Sequence, residues 1–305
     1  MSRELIVLGT ASQVPTRYRN HNGYFLRWDD RGLLFDPGEG TQRQMLHFGV
    51  ATSCVHHVLI THFHGDHCLG LAGLVQRISL DGVPHRVQVH YPASGEEYFQ
   101  RLRHASIFHD RAETVPRPIA IAGEGEVEIA REPGFALVAR RLDHRVETFG
   151  YRLQEPAGRR MLPDRLDAAG VSGPDIGRLQ REGELCVGER LVRLEDVSAP
   201  RPGQSMAFVM DTRPCAGAEE LARGVDLLVC ESTYLSSEAA EAHANAHMTA
   251  DQAGRLAAAA GARRLVLTHF SQRYTELEPF LEEARAHHPD VVAARDGDVV
   301  AVPRR

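Results

Sequence analysis

Lysine is absent from all 305 residues, so each of the 35 fixed positive charges is an arginine guanidinium. Guanidinium groups match phosphate geometry bidentately. The 41 acidic side chains outnumber the arginines, and a formal net charge of −6 lacks the basic footprint of a protein that coats nucleic acid. Positive charge is instead local, at Arg17 with Arg19, Arg140 with Arg141 and Arg145, Arg159 with Arg160, and Arg263 with Arg264. Cysteine is sparse: five residues, at 54, 68, 186, 215 and 230, odd in number and without CxxC spacing. That excludes a disulfide framework and points to reduced thiols in the cytoplasm. No apolar run reaches the length of a membrane span, and MSRELIVLGT is not followed by a long apolar region with a small-residue cleavage site. Neither a membrane anchor nor a secretory leader is expected.

What the chain does have is a dense ligand cluster. Val58 to Leu69 reads VLITHFHGDHCL, an apolar run that gives way to three histidines and an aspartate within six residues. Continuous β-branched and aliphatic residues from Val58 to Thr61 predict a buried strand. Imidazole nitrogen and carboxylate oxygen suit zinc, and a His-x-His pair at a strand end can turn two rings toward one ion while the next turn supplies Asp66 and His67. Gly65 stands where a sharp bend between the two pairs is expected. One loop cannot complete two tetrahedral shells, so further ligands are needed at other strand ends.

The rest of the chain supplies them. Strand patterns at Glu4 to Leu8, Tyr24 to Trp28 and Leu33 to Phe35 lead into the turn Asp36-Pro37-Gly38-Glu39-Gly40, after which Thr41 is placed to cap a helix. Helical periodicity covers Leu69 to Leu80 and Glu96 to Phe108, with a strand at Val87 to Tyr91 between them. Strands at Val127 to Ala130 and Ala136 to Leu142 end at Asp143-His144, just before a strand over Thr148 to Leu153. From about 154 to 203 the composition shifts to Pro, Gly, Arg and acidic residues, which predicts an excursion from the core, with Leu162, Leu166, Val171, Ile176 and Leu179 enough for a small structured arm. Strands then resume, and three of them run into Asp211-Thr212-Arg213, Cys230-Glu231-Ser232-Thr233 and Thr268-His269. Helices over Thr249 to Ala260 and Leu277 to Ala286 alternate with them, and Asp298 to Val302 reads as a closing edge strand. The alternation predicts an α/β protein of two mixed sheets with helices outside.

Strand ends thus collect His62, His64, Asp66, His67, His144, Asp211 and His269. Seven residues, one of them bridging, give the eight contacts that two four-coordinate zinc ions require. The order HFHGDH, a His, an Asp and a late His resembles the metallo-β-lactamase superfamily. PTRYRN, FDPGEGTQ, MDTR, CESTY, HMTA and THFSQRY, with the excursion containing VSGPDIG, are similar to the motifs of the ribonuclease Z family, over nearly the whole chain from Gly9 to Tyr274. The resemblance implies an αββα sandwich spanning residues 1–305, interrupted at about 154–203 by a flexible tRNA-binding arm. It implies two Zn2+ per subunit, His62, His64 and His144 on one, Asp66, His67 and His269 on the other, and Asp211 between them. Activity would be endonucleolytic removal of the 3′ trailer from precursor tRNA by attack of hydroxide held at the metals, leaving a 3′-hydroxyl on the tRNA and a 5′-phosphate on the trailer. Asp66 would also act as base, and His247, oriented by Glu231, would protonate the leaving oxygen. Arg17, Arg19 and Arg273 lie in motifs expected to contact RNA, and the family resemblance implies a homodimer. Two positions depart from the family pattern: Arg17 stands for the usual lysine, and Cys230 and Ser232 flank the retained Glu231 where histidine and alanine are usual.

Taken alone, His247 reads as a surface or capping histidine; with His243 four residues before it, the two would share one side of a helix, but Ala244 replaces the glutamate a zincin needs. His56, His57, His85, His90, His104, His109, His287 and His288 take the same reading, surface or capping, and Cys68 reads as a packing residue. Two other functions compete. A small-molecule phosphodiesterase or arylsulfatase of the same fold would not need the arm, and a catalytically silent RNA-binding relative would have lost ligands.

Overall fold

The computed structural model describes residues 3–123 and 125–305. The chain divides into two compact units, one formed by Met1–Leu153 and Ser205–Arg304, the other by Gln154–Gln204.

Among the described residues, the first unit is built on two seven-stranded sheets. One runs in the order Val299–Ala301, Arg3–Gly9, Gly23–Trp28, Arg31–Phe35, His57–Leu59, Val87–Pro92 and Thr114–Ile119. The other runs Val291–Ala293, Arg264–Thr268, Leu227–Glu231, Ser205–Val209, Phe149–Gln154, Phe135–Arg141 and Glu126–Glu132. Central strands are apolar on both faces because side chains alternate between two cores. Leu5, Val7, Tyr24, Leu26, Leu33 and Phe35 of the first sheet meet Phe149, Tyr151, Met206, Phe208 and Val229 of the second. Phe208 stacks on Phe35 with ring centroids 4.7 Å apart and takes the edge of Tyr24 at 5.2 Å. The alternate residues Ile6, Leu8, Phe25 and Leu34 face the helices Thr41–His47, Leu71–Leu80 and Glu96–Arg103. Ala207, Val209, Leu228 and Cys230 likewise face Ala216–Ala222, Ala250–Ala260 and Glu278–Arg285. The layers are helix, sheet, sheet, helix.

Several local expectations are corrected. The helical pattern from Leu69 begins later, at Leu71, after a separate one-turn helix over Gly65–Cys68. Gly65 opens that turn and is not among the positive-φ residues, so the sharp bends lie elsewhere. Thr41 is the first helical residue, not the cap: Gly40, at φ 81°, is the cap, and the Thr41 hydroxyl donates to the Gly38 carbonyl at 2.7 Å. The Glu96 helix stops at Arg103. Thr114–Ile119, with Pro116 and Pro118, carries no alternation that reads as a strand, yet it pairs in parallel with Val87–Pro92. It can do so because it is the last strand of its sheet, where a missing N–H costs no ladder bond on the open side.

The second unit has a core of its own, Leu166, Ala169, Val171, Leu179, Leu185, Val192 and Val197. Its helices, Pro163–Ala169 and Pro174–Glu182, each begin with proline and end at a left-handed glycine, Gly170 and Gly183, the usual asymmetry of helix termini. Two antiparallel pairs, Gly158–Met161 with Ser198–Arg201 and Glu184–Val187 with Arg190–Arg193, complete it.

Candidate metal centre

Histidine and aspartate side chains can converge only if the backbone turns them inward at the strand ends. Asp36, Asp211 and His269 follow the strands ending at Phe35, Val209 and Thr268, and all three adopt left-handed backbone at φ 43°, 46° and 62°. Non-glycine residues rarely take this conformation, and where they do the strain is held by the surrounding structure at working sites. The HFHGDH loop is pressed onto the turn after Asp36 by a close approach: a Cβ on Gly38 would stand 2.2 Å from the Asp66 carbonyl oxygen. Only glycine fits there.

All seven expected ligands are brought together in two groups, His62, His64, His144 and Asp211 in one, Asp66, His67 and His269 in the other. Within each group the candidate ligand atoms lie within 4.8 Å of one another. The rings are held by their other nitrogens. His67 Nδ1 bonds Asp36 Oδ2 at 2.9 Å, His144 Nδ1 bonds the Ala246 carbonyl at 2.9 Å, His269 Nδ1 bonds Thr233 Oγ1 at 2.9 Å, and His62 Nδ1 bonds Thr61 Oγ1 at 3.0 Å. That leaves Nε2 of each ring turned inward, the arrangement by which outer partners fix the tautomer of metal-binding histidines.

The inward atoms have poor partners without a cation. His62 Nε2 and His64 Nδ1 face each other at 2.8 Å, His144 Nε2 stands 3.4 Å from the same His64 atom, and Asp211 Oδ1 and His269 Nε2 are buried without any hydrogen bond. Buried polar atoms left this way are costly. A divalent ion in each group removes the mismatch, and the donor set, all nitrogen and oxygen, fits zinc and similar metals.

The electrostatics agree. Burial works against a charged ring at His67, but the Asp211, Asp66 and Asp36 carboxylates outweigh it and hold the imidazole well above its ordinary value. A proton there answers the same carboxylates that a cation would. Burial alone dominates at His62, His64 and His144 and pushes all three down, toward the neutral form that ligates metal. Asp66 and Asp211 resist their own burial and stay well below the usual carboxylate range because histidines surround them.

His247 is not helical: the helix carrying His243 ends at Asn245, Ala246 is left-handed at φ 60°, and the chain turns back. Its Nδ1 bonds both oxygens of fully buried Glu231, at 3.0 and 3.1 Å, and Glu231 also accepts from the N–H groups of Thr212 and Met248. Burial opposes the charge, but Glu231 and Asp211 push His247 up to about 9. With Asp211 and His269 it forms a third possible ligand group. A cavity of about 320 Å³ opens over Asp66, Asp211, His247 and His269.

Residues 16–148 match the model of the metallo-β-lactamase superfamily, and 174–270 that of a β-lactamase superfamily domain. The chain is 57% identical over 305 residues to ribonuclease Z of Streptomyces avermitilis and 58% identical over 304 to that of Nocardia farcinica, with 99% of each chain covered in both cases. The chain belongs to the ribonuclease Z family. Its fold is the metallo-β-lactamase fold, as in the crystal structure of human tRNase Z, short form, with a TM-score of 0.74 at 23% identity over 99% of this chain and all of that one.

Of the arginines in ribonuclease Z motifs, Arg273 lines the cavity, whereas Arg17 is exposed beside a neighbouring one. Arg19, half-buried at that same neighbouring cavity, is engaged within the chain: its Nη2 donates to the carbonyls of Ser271 and Tyr274, at 3.1 and 2.6 Å. Two contributors escape a reading for ligands. Asp36 sits in the ribonuclease Z motif FDPGEG but reaches the centre only indirectly, through His67 and through the Thr61 hydroxyl that bonds His62. Gln13, left-handed at φ 59°, donates its backbone N–H to Asp66 Oδ2 at 3.0 Å, which no side-chain pattern can announce.

Proposed function

We propose that this chain removes the 3′ trailer from precursor tRNA at a two-zinc centre held by His62, His64, Asp66, His67, His144, Asp211 and His269. Family membership makes it an endoribonuclease, a hydrolase of phosphodiester bonds. The observation that carries the mechanism is the adjacency of two metal-fitting groups to a His247–Glu231 pair on one cavity. When bound, a pair of divalent ions lowers the pKa of water and neutralises charge on the phosphoryl oxygens.

The side chains divide the remaining work. His62, His64 and His144 would hold one ion and Asp66, His67 and His269 the other, with Asp211 available to both. Asp66, at the cavity wall, takes the proton of the attacking water. His247 holds a proton at neutral pH because Glu231 stabilises the charged ring. It delivers that proton to the departing O3′ and keeps its Nδ1–H on Glu231, which leaves a 3′-hydroxyl on the tRNA and a 5′-phosphate on the trailer. Exposed Arg17 and cavity-lining Arg273 meet RNA phosphates, Arg19 braces the loop that carries Arg17, and the 154–204 unit binds the body of the tRNA away from the cut. Among the described residues no helix is long and apolar enough to cross a membrane. A cytoplasmic homodimer is the assembly this reading favours.

The test is to incubate the protein with a 3′-extended precursor tRNA, with and without chelator, beside His64→Ala, and to map product ends. The expected result is a metal-dependent cut after the discriminator nucleotide, reduced at least about 100-fold in the variant. An intact precursor alongside hydrolysis of a small phosphodiester would keep the metal centre and remove the tRNA assignment.

A further inference from the structure

Two guanidinium groups line the cavity over the metal ligands, Arg145 and Arg273. Arg273 is engaged on every nitrogen. Nη1 and Nη2 donate to the two oxygens of Glu241 at 2.9 and 2.7 Å, Nε reaches Ser271 Oγ at 3.3 Å, and the group lies 5.0 Å over the Tyr234 ring. An incoming phosphate must displace a carboxylate to use it.

Arg145, directly after the ligand His144, is different. Nη2 alone is bonded, to the Ala244 carbonyl at 2.8 Å and Asn245 Oδ1 at 2.9 Å, and Asn245 is itself tied to the Tyr234 hydroxyl at 2.9 Å. The acidic residues nearest it in sequence are committed elsewhere, Asp143 to Arg213 at 3.0 Å and Glu147 to Arg141 at 2.8 Å. Among the described residues Arg145 thus has no carboxylate partner, its Nε and Nη1 carry no hydrogen bond, and its guanidinium is anchored at one corner. A fixed cation with open donors at the mouth of a metal centre is suited to a phosphate oxygen.

We infer that Arg145 seats a backbone phosphate of the RNA strand entering the cavity, ahead of Arg273, which Glu241 holds in reserve. The inference rests on the ribonucleolytic reading above and adds a contact residue to it. Because the charge is anchored before substrate arrives, the contact costs little side-chain ordering. Neutralising one phosphate releases counterion, so its loss is legible in the salt dependence of binding.

The experiment is fluorescence anisotropy of a labelled 3′-extended precursor tRNA under chelation, which prevents cutting, across a KCl series. Wild type, Arg145→Gln, Arg145→Lys and Glu241→Gln are compared, each first checked for an unchanged thermal melt. Glutamine removes the charge but is too short to keep the bonds to Ala244 and Asn245, so the unchanged melt and the charge-retaining Arg145→Lys separate loss of charge from loss of fold. Arg145→Gln should bind about tenfold more weakly with the log–log salt slope reduced by about 0.7–0.9, Arg145→Lys should recover part of the slope, and Glu241→Gln should bind more tightly by freeing Arg273. Wild-type binding with an unchanged slope in a folded Arg145→Gln overturns the inference and leaves the ribonuclease reading standing. Absence of wild-type binding at low salt overturns both.

Discussion

Asp36 ligates nothing, yet its carboxylate decides which nitrogen of His67 faces the centre. It is fully buried, accepts from the Thr61 N–H at 2.7 Å and the Thr61 hydroxyl at 2.8 Å, and takes His67 Nδ1 at 2.9 Å. Removing it frees the ring to rotate and strands three buried donors. Asp36→Ala is expected to weaken divalent-metal affinity about 10–100-fold, read by competition with a chromophoric chelator; an unchanged affinity would show that His67 needs no such brace. The convergence of the seven candidate ligands was legible because histidine and aspartate at strand ends have few other reasons to cluster. Asp36 was not, since its motif shows an aspartate after a strand but not the burial or left-handed turn that aims it at His67. Arg145 stayed hidden for the converse reason: it was visible only as one of a local cluster of arginines, and only the neighbours' pairings show which guanidinium is unclaimed.

Elements near the centre are joined by a half-buried carboxylate with no metal role. Asp296 lies between the strands Val291–Ala293 and Val299–Ala301 and gathers three other segments, accepting from Thr10 Oγ1 at 2.9 Å, the Asn20 N–H at 2.6 Å and Gln44 Nε2 at 3.3 Å. Burial outweighs these donors and nearby Arg19, and pushes its carboxyl from an ordinary 3.8 up to about 6. Between those values the folded chain binds more proton than the unfolded one, so this group's contribution to stability falls as pH rises through the window. Asp296→Asn has no such titration. Its stability relative to wild type should improve by on the order of 2 kcal/mol between about pH 4 and pH 7, measured as the difference between paired denaturant curves. A pH-independent difference would refute the assignment. Sequence periodicity found most strands and helices of this region, because both faces of each central strand are apolar and the helices show one buried stripe. It missed Thr114–Ile119, where the two prolines hide an edge strand, and it could not locate the left-handed residues Asp36, Asp211 and His269, because that conformation is imposed by packing and not by residue type.

At the scale of the whole chain, the excursion is a structure in its own right. Its stems close on themselves, with the Glu155 N–H donating to the Gln204 carbonyl at 2.9 Å and the Gln204 N–H to Glu155 Oε2 at 2.8 Å, while seven apolar side chains form its interior. Composition foretold a departure from the core with enough apolar residues for a structured arm; the two short antiparallel pairs were invisible, since strands of four residues leave too few alternations to read. Its charge is balanced, eight arginines against nine acidic residues over 154–204, so it cannot hold RNA by long-range attraction alone. Contacts there must be few and local, and most of the electrostatic dependence should then lie at the cavity. Replacing 156–202 with a short Gly-Ser turn removes the unit at stems that already meet. The truncated protein is expected to melt cooperatively and to hydrolyse a small phosphodiester within about twofold of the wild-type rate, because no candidate ligand lies in the excised segment. Its KM for precursor tRNA should rise by about tenfold or more, the loss of on the order of 1.4 kcal/mol of substrate binding, with kcat little changed. The salt dependence of kcat/KM should stay close to that of the intact chain, since a balanced arm releases few counterions. Equal loss on both substrates would mean that the excursion supports the catalytic unit itself, and a collapse of the salt dependence would place the main phosphate contacts on the arm and not at the metal cavity.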